Sequence, residues 1–289
     1  MMARFPRALP FLLVLLRLPS ANSQTISDAA RTENVERARA ILREGFESKD
    51  YSVRIEAVRA ASMVGRSEKL VSKLELFLDD KNVDVRLATV NALADLHDPQ
   101  TEHPLVKLLR DDKTPEVSFA AAKSLAATGD PAGISALQEV YRGTRKTRSS
   151  GLKKQERQFI ERFHSMPSAV MFVVGEGIGN VPVPGAGEGF TAISSLLKEP
   201  GLSDRASALF LLARKRTPES LELLRGGLTD QDWSVRASAA QIIAHTAQTA
   251  LQDSLPRLFD DKNKKVRFRA AGAYLHLLRA KKDPIEGGL

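Results

Sequence analysis

Apolar and small residues recur along this chain at helical spacing, and the recurrence itself repeats. Val53-Arg54, Val85-Arg86 and Val117-Ser118 lie 32 residues apart, and Asp204-Arg205, Val235-Arg236 and Val266-Arg267 lie 31 apart. Each pair opens an Ala- and Leu-rich run with helical periodicity: Val53 to Val64, Val85 to Leu96, Val117 to Thr128, Asp204 to Lys215, Val235 to Thr246 and Val266 to Leu277. Three residues before the valines stand Asp50, Asn82, Thr114, Asp232 and Asn263. These short polar side chains accept hydrogen bonds from the free N–H groups of a helix's first turn. Pro115, after Thr114, suits the first helical position, where its missing N–H would be unpaired anyway. Caps, proline and apolar phase agree on one register, and that agreement carries more than any single motif.

A second helix precedes each of these. The expected spans are Glu68–Leu78, Gln100–Leu109, Ala132–Tyr141, Glu219–Leu228 and Thr249–Phe259, with Pro99, Pro131 and Pro218 marking entries. A single hairpin of this kind cannot bury its apolar face, whereas a stack of hairpins buries a continuous core. The expected fold is an all-α, right-handed α-solenoid of antiparallel helical hairpins. We refer to the first helix of each hairpin as helix A and the second as helix B.

The Asp/Asn-x-x-Val-Arg-x-x-Ala pattern at this period resembles the short HEAT-like repeats of bacterial proteins, a type also found in phycobilin lyases. The likeness runs over roughly residues 31–280, with an interruption. It implies that helices B line a concave face. It also implies that Arg54, Arg86, Arg205, Arg236 and Arg267 form a structural ladder with neighbouring acidic turns. Ser118 departs from the pattern, so the ladder is expected to weaken at the third repeat.

The repeat is interrupted between Arg142 and Gly189. Arg142 to Arg148, followed by Gly151–His164, reads as a basic loop and helix. Residues 167–189 join an apolar run containing Phe172 and Ile178 to a stretch holding six of the chain's 18 glycines. Glycine and proline at this density forbid regular helix through residues 175–189. The apolar content argues for packing on the solenoid or on a partner. The Gly175-x-Gly177-x-Gly179 spacing lacks the dinucleotide fingerprint and its βαβ setting.

The N-terminus reads as a secretory signal: Arg4 and Arg7, an apolar run from Ala8 to Leu16, and small residues in Ala21-Asn22-Ser23 before Gln24. The expected organisation is a signal peptide at 1–23, N-terminal repeats at 24–141 and a basic helix with apolar Gly/Pro-rich insert at 142–189. C-terminal repeats follow at 190–280, then a tail at 281–289. Export to the periplasm or cell exterior follows from that reading. The chain has no cysteine, so no disulfide can staple the exported domain. The formal net charge is +8, of which Arg4, Arg7 and Arg17 supply three; eight basic residues against two acids between Arg142 and Arg162 supply six. The rest of the chain is close to neutral, so its basicity belongs to one segment.

Candidate chemistry is sparse. The histidines are His97, His103, His164, His245 and His276, and none is followed by glutamate as in iron hydroxylases of this fold. His245 and His276 each stand ten residues after the repeat position, one above the other in adjacent repeats and too far apart for one zinc. No thiol and no Gly-x-Ser-x-Gly elbow are present. No cofactor is implied.

The positions 3, 6 and 10 after the valine are expected on one open side of helix B. They make Arg59, Met63, Asn91, Asp95, Lys123, Gln241, His245, Arg269 and His276 candidate partner contacts, with Phe172 and Ile178 of the insert. The expected function is a non-catalytic protein-interaction scaffold of the cell envelope, with a protein as partner and neither nucleic acid nor a small-molecule substrate. Two alternatives stand beside it: a membrane-surface adaptor using the basic helix and apolar insert, and a lyase-like HEAT-repeat enzyme.

Overall fold

The structure, a computed structural model, describes residues 21–147, 202–213 and 216–282. Among these, the chain forms eleven α-helices: α1 (Ala21–Glu47), α2 (Tyr51–Val64), α3 (Glu68–Glu75), α4 (Val83–Leu96), α5 (Glu102–Asp111), α6 (Pro115–Ala127), α7 (Pro131–Tyr141), α8 (Asp204–Ala213), α9 (Pro218–Gly227), α10 (Trp233–His245) and α11 (Lys264–Lys282). They arrange as helical hairpins, so the chain is an all-α solenoid.

The expected helices B are α2, α4, α6, α8, α10 and α11. Four of the five expected caps hold. Asp50 accepts from the Ser52 N–H, Asn82 from Asp84 and Val85, Asp232 from Ser234, and Asn263 from Lys265. Thr114 does not cap with its side chain. Its hydroxyl instead accepts from Arg86 Nη2 at 2.9 Å, while Pro115 removes one N–H that a cap would have served.

Most helices A form as expected, but the span Thr249–Phe259 is not an α-helix. It splits into 3₁₀ turns at Thr249–Ser254 and Pro256–Leu258. Pro256 lacks an N–H and its ring would clash with the carbonyl four residues back, which breaks the α ladder there. Leu251, Leu255, Leu258 and Phe259 are nevertheless buried, so the broken helix still covers the core.

The order of stacking departs from the order of the sequence. Helix α8 packs on α10 and α10 on α11; α11 then packs on α2, α2 on α4 and α4 on α6. The C-terminal hairpins therefore stack before the N-terminal ones, and α7 and α8, adjacent in the described chain, sit at opposite ends of the described stack. Helix α1 serves as helix A at the junction, packing on both α11 and α2.

The junction has its own core. Leu42, Ala57, Ala60 and Phe268 are buried together, with Ile41, Phe46, Met63 and Leu275 packed around them. Two glycines permit the close approach. A Cβ on Gly272 would stand 2.6 Å from the Ala60 carbonyl oxygen, and one on Gly45 would stand 2.4 Å from the Phe268 ring. No larger residue fits either place without displacing a helix.

Candidate interaction surface

The ladder is present and its geometry is regular. Arg54 Nε and Nη2 grip the two oxygens of Asp80 at 2.8 and 2.9 Å, while Nη1 donates to the carbonyls of Ser48 and Lys49. Arg86 grips Asp112 at 2.8 and 3.2 Å and donates to the Asp80 carbonyl. Arg236 grips Asp261 at 2.7 and 2.9 Å and donates to the carbonyls of Asp230 and Gln231. Arg205 holds Asp230. Each aspartate also accepts from the N–H of the next helix's cap residue, so one carboxylate ties an arginine, a turn and a helix start together. The paired side chains of Arg86 and Asp112 are only 14% and 5% exposed, so the ion pair is well shielded from water.

Two rungs differ. At the third repeat, Ser118 donates its hydroxyl to the Leu109 carbonyl at 2.6 Å. Arg145, arriving from beyond α7, donates to the same carbonyl and to Ser118, and pairs with Glu139. An arginine thus returns to that place from another part of the chain. Arg267 keeps its bonds to the carbonyls of its own turn, Asp261 and Lys262, and pairs with no aspartate among the described residues.

The three rows of the B layer divide by burial. Position 3 holds Glu56, Ala88, Ala120, Ser238 and Arg269, all buried, which corrects the expectation that this row lies open. Small residues dominate it because neighbouring B helices close over it. Arg269 is therefore buried rather than open to a partner. Position 6 holds Arg59, Asn91, Lys123 and Gln241, all half-buried, with Gly272 at the junction. Position 10 holds Met63 and His276, half-buried, and Asp95 and His245, exposed. In stacking order this last row reads His245, His276, Met63, Asp95, Ala127. It runs unbroken across the junction, where the His276 ring bonds to the backbone of Met63. Phe172 and Ile178 lie outside the described residues, as do the basic helix and the signal segment.

The electrostatics of the row are those of a recessed place. Desolvation by surrounding protein raises the Asp95 carboxyl to about 6, against a smaller opposing pull from His97. Desolvation, with His276 beside it, lowers His245 to about 4. Burial also lowers His276 and Lys123, whose ammonium stands 5.2 Å from the Phe119 ring centre. These groups are accessible yet poorly hydrated, so a complementary partner group would meet them at reduced desolvation cost. Glu56 and Arg59 pair at 3.2 Å beside them. The remaining described histidines do other work: His97 closes α4 in left-handed conformation, and His103 sits in α5. Trp233 is half-buried beneath Lys265. Among the described residues no group of three or more His, Cys, Asp or Glu is placed to hold a metal ion. None of the described helices is long and apolar enough to cross a membrane.

Helical hairpins in two layers, tied by an arginine–aspartate ladder, define an α-solenoid repeat protein. The sequence profile of HEAT repeats matches residues 71–150 and 191–275, more than half the chain, and the protein belongs to the HEAT-repeat family. A comparison with curated proteins gives no match. HEAT repeats generally serve as protein-interaction scaffolds.

Sequence reasoning missed the continuity of the surface. It named the position-6 and position-10 columns within each half but placed position 3 on the open side and could not order the halves. Ser48, standing where other turns carry aspartate, and the glycines at 45 and 272 are traces of the junction in the sequence.

Proposed function

We propose that the protein is a non-catalytic scaffold of the cell envelope that binds a protein partner along the position-6 and position-10 rows of its B layer. The observation that carries this reading is the unbroken row from His245 to Asp95 across two halves distant in sequence. A surface made continuous by docking is longer than either half could offer, and length of matched surface is what a solenoid contributes to recognition. The row mixes histidine, methionine and carboxylate with the half-buried Arg59, Asn91, Lys123 and Gln241, a composition suited to a polypeptide ligand. The insert at 167–189 is proposed as a second contact, and residues 1–23 as the export signal.

The test uses the full chain carrying a photo-crosslinking residue at Asn91 or Gln241 in living cells. A discrete crosslinked protein obtained from both positions, and lost with Asp95→Lys and His245→Glu, supports the reading. Crosslinks unaffected by those substitutions move the partner to another surface. Fractionation of cells expressing the chain with and without residues 1–23 tests export, which requires the intact chain outside the cytoplasm.

A further inference from the structure

Three ladder arginines, Arg54, Arg86 and Arg236, work with two edges. Nη1 is anchored on the carbonyls of the arginine's own turn, and the Nε–Nη2 edge grips the aspartate two residues before the next helix's cap. At the junction the next cap in the stack is Asp50, and the residue two before it is Ser48. The Ser48 carbonyl is already taken by Arg54, and its side chain carries no charge. Arg267 is accordingly anchored by Nη1 on the Asp261 carbonyl at 2.7 Å and the Lys262 carbonyl at 3.4 Å, while among the described residues no carboxylate stands at its other edge.

Arg267 lines a cleft of about 450 Å³, together with Arg37, Glu44, Ser48, Asp260 and Phe268. Arg37 is also held in place, paired with Asp260 at 2.7 Å and resting over the Phe259 ring at 5.5 Å. The cleft thus presents a half-buried guanidinium whose side-chain freedom is already spent on backbone carbonyls. A fork fixed in this way loses little further entropy when it meets a carboxylate bidentately. Glu44 borders the same space and opposes a ligand that is purely anionic.

We propose that the junction cleft is a carboxylate-binding site, in which the ligand's carboxylate takes the Nε–Nη2 edge of Arg267 that an aspartate takes at the other rungs. A ligand carrying a donor beside its carboxylate, as an acidic peptide segment does, also satisfies Glu44. The site joins the two halves of the solenoid, so its occupant bridges α11 to α1 and α2 in place of the missing rung.

The ¹⁵Nε–¹H resonance of Arg267 in the full chain, assigned by its loss in Arg267→Lys, reports on that edge directly. Two probes distinguish the source of the carboxylate: N-acetyl-Ala-Asp-Ala-amide for a protein side chain, and succinate for a free acid. The expected result is a saturable shift with one or both, none with the Asn analogue of the peptide, and no shift in Ser48→Asp, where the rung is filled from within. Arg267→Lys, which cannot fork and has no such resonance, is expected to bind the peptide probe roughly tenfold more weakly by calorimetry, the loss of one charge-assisted hydrogen bond. Three results overturn the proposal: no shift with either probe, a shift that persists in Ser48→Asp, or a shift of the free protein's resonance on Glu44→Gln alone. The last would show that Glu44 already completes the rung.

Discussion

The packing of α4 on α2 and that of α2 on α11 use the same kind of apolar surface but different polar fastenings. Between α2 and α4 the repeats are 32 residues apart, and Arg54 clasps Asp80 bidentately. Between α11 and α2 the partners are more than 200 residues apart. Lys264 reaches the Ser52 hydroxyl at 2.6 Å and Asp50 at 3.4 Å, His276 bonds to the Met63 backbone, and among the described residues the ladder arginine meets no aspartate. The junction compensates with closeness: Gly45 of α1 admits the Phe268 ring, and Gly272 of α11 admits the Ala60 backbone. The lesson is that a solenoid joined end to end by sequence-distant repeats can rest on apolar fit, with its specific ionic clasp missing.

The largest effect expected from this difference comes from the junction core. Phe268→Ala removes the ring that fills the space between Gly45, Leu42 and Ala57. It should lower stability by about 3–5 kcal/mol and separate the urea transition into two, one for each half. Next, Arg86→Ala strands Asp112 in a shielded place and should cost about 3 kcal/mol, measured by the same denaturation. Gly272→Ala forces α11 away from the Ala60 carbonyl and should cost about 1–3 kcal/mol. Arg267→Ala, by contrast, removes an arginine with no carboxylate to strand and should cost less than about 1 kcal/mol. If it costs as much as Arg86→Ala, the two interfaces are fastened alike and the distinction fails.

The smallest effect is the dependence of stability on pH, and it sharpens the view of the row that crosses the junction. The carboxyl of Asp95 is raised to about 6 from 3.8, so the folded chain binds its proton first. Its contribution falls as pH rises from about 4 to 6. The imidazole of His245 is lowered to about 4 from 6.5, so the unfolded chain binds its proton first. Its contribution is full above about 6.5 and is lost as pH falls towards 4. The two oppose each other between pH 4 and 6. Denaturation curves of Asp95→Asn should therefore show a steeper loss of stability on acidification than the parent, and those of His245→Gln a shallower one.

Much of the fold was legible because it is periodic. The Asp/Asn cap, the valine, the arginine and the apolar phase repeat together, so the boundaries of α2, α4, α6, α10 and the start of α11 follow from residue types alone. Arginine rungs were legible only through the resemblance to a family, since spacing does not say which turn an arginine meets. Local errors had local causes: Pro256 breaks one helix A, and Arg86 takes the Thr114 hydroxyl from its cap. The order of the halves was not legible at all. Periodicity reports what a repeat is, and each repeat offers nearly the same apolar faces to any neighbour. What selects α11 for α2 is the steric fit at Gly45 and Gly272, a contact between residues far apart in sequence that no local pattern announces.

The most direct test of this account is the distance between the two ends of the stack. The chain has no cysteine, so spin labels at Ala127→Cys in α6 and Leu212→Cys in α8 are unambiguous, and both positions are exposed. In the observed order five helix spacings of about 8–10 Å separate these helices, and double electron–electron resonance should give roughly 40–50 Å. A distance under about 20 Å, the value for neighbouring helices with label linkers, would mean that the repeats stack in sequence order, and would contradict the junction between α11 and α2.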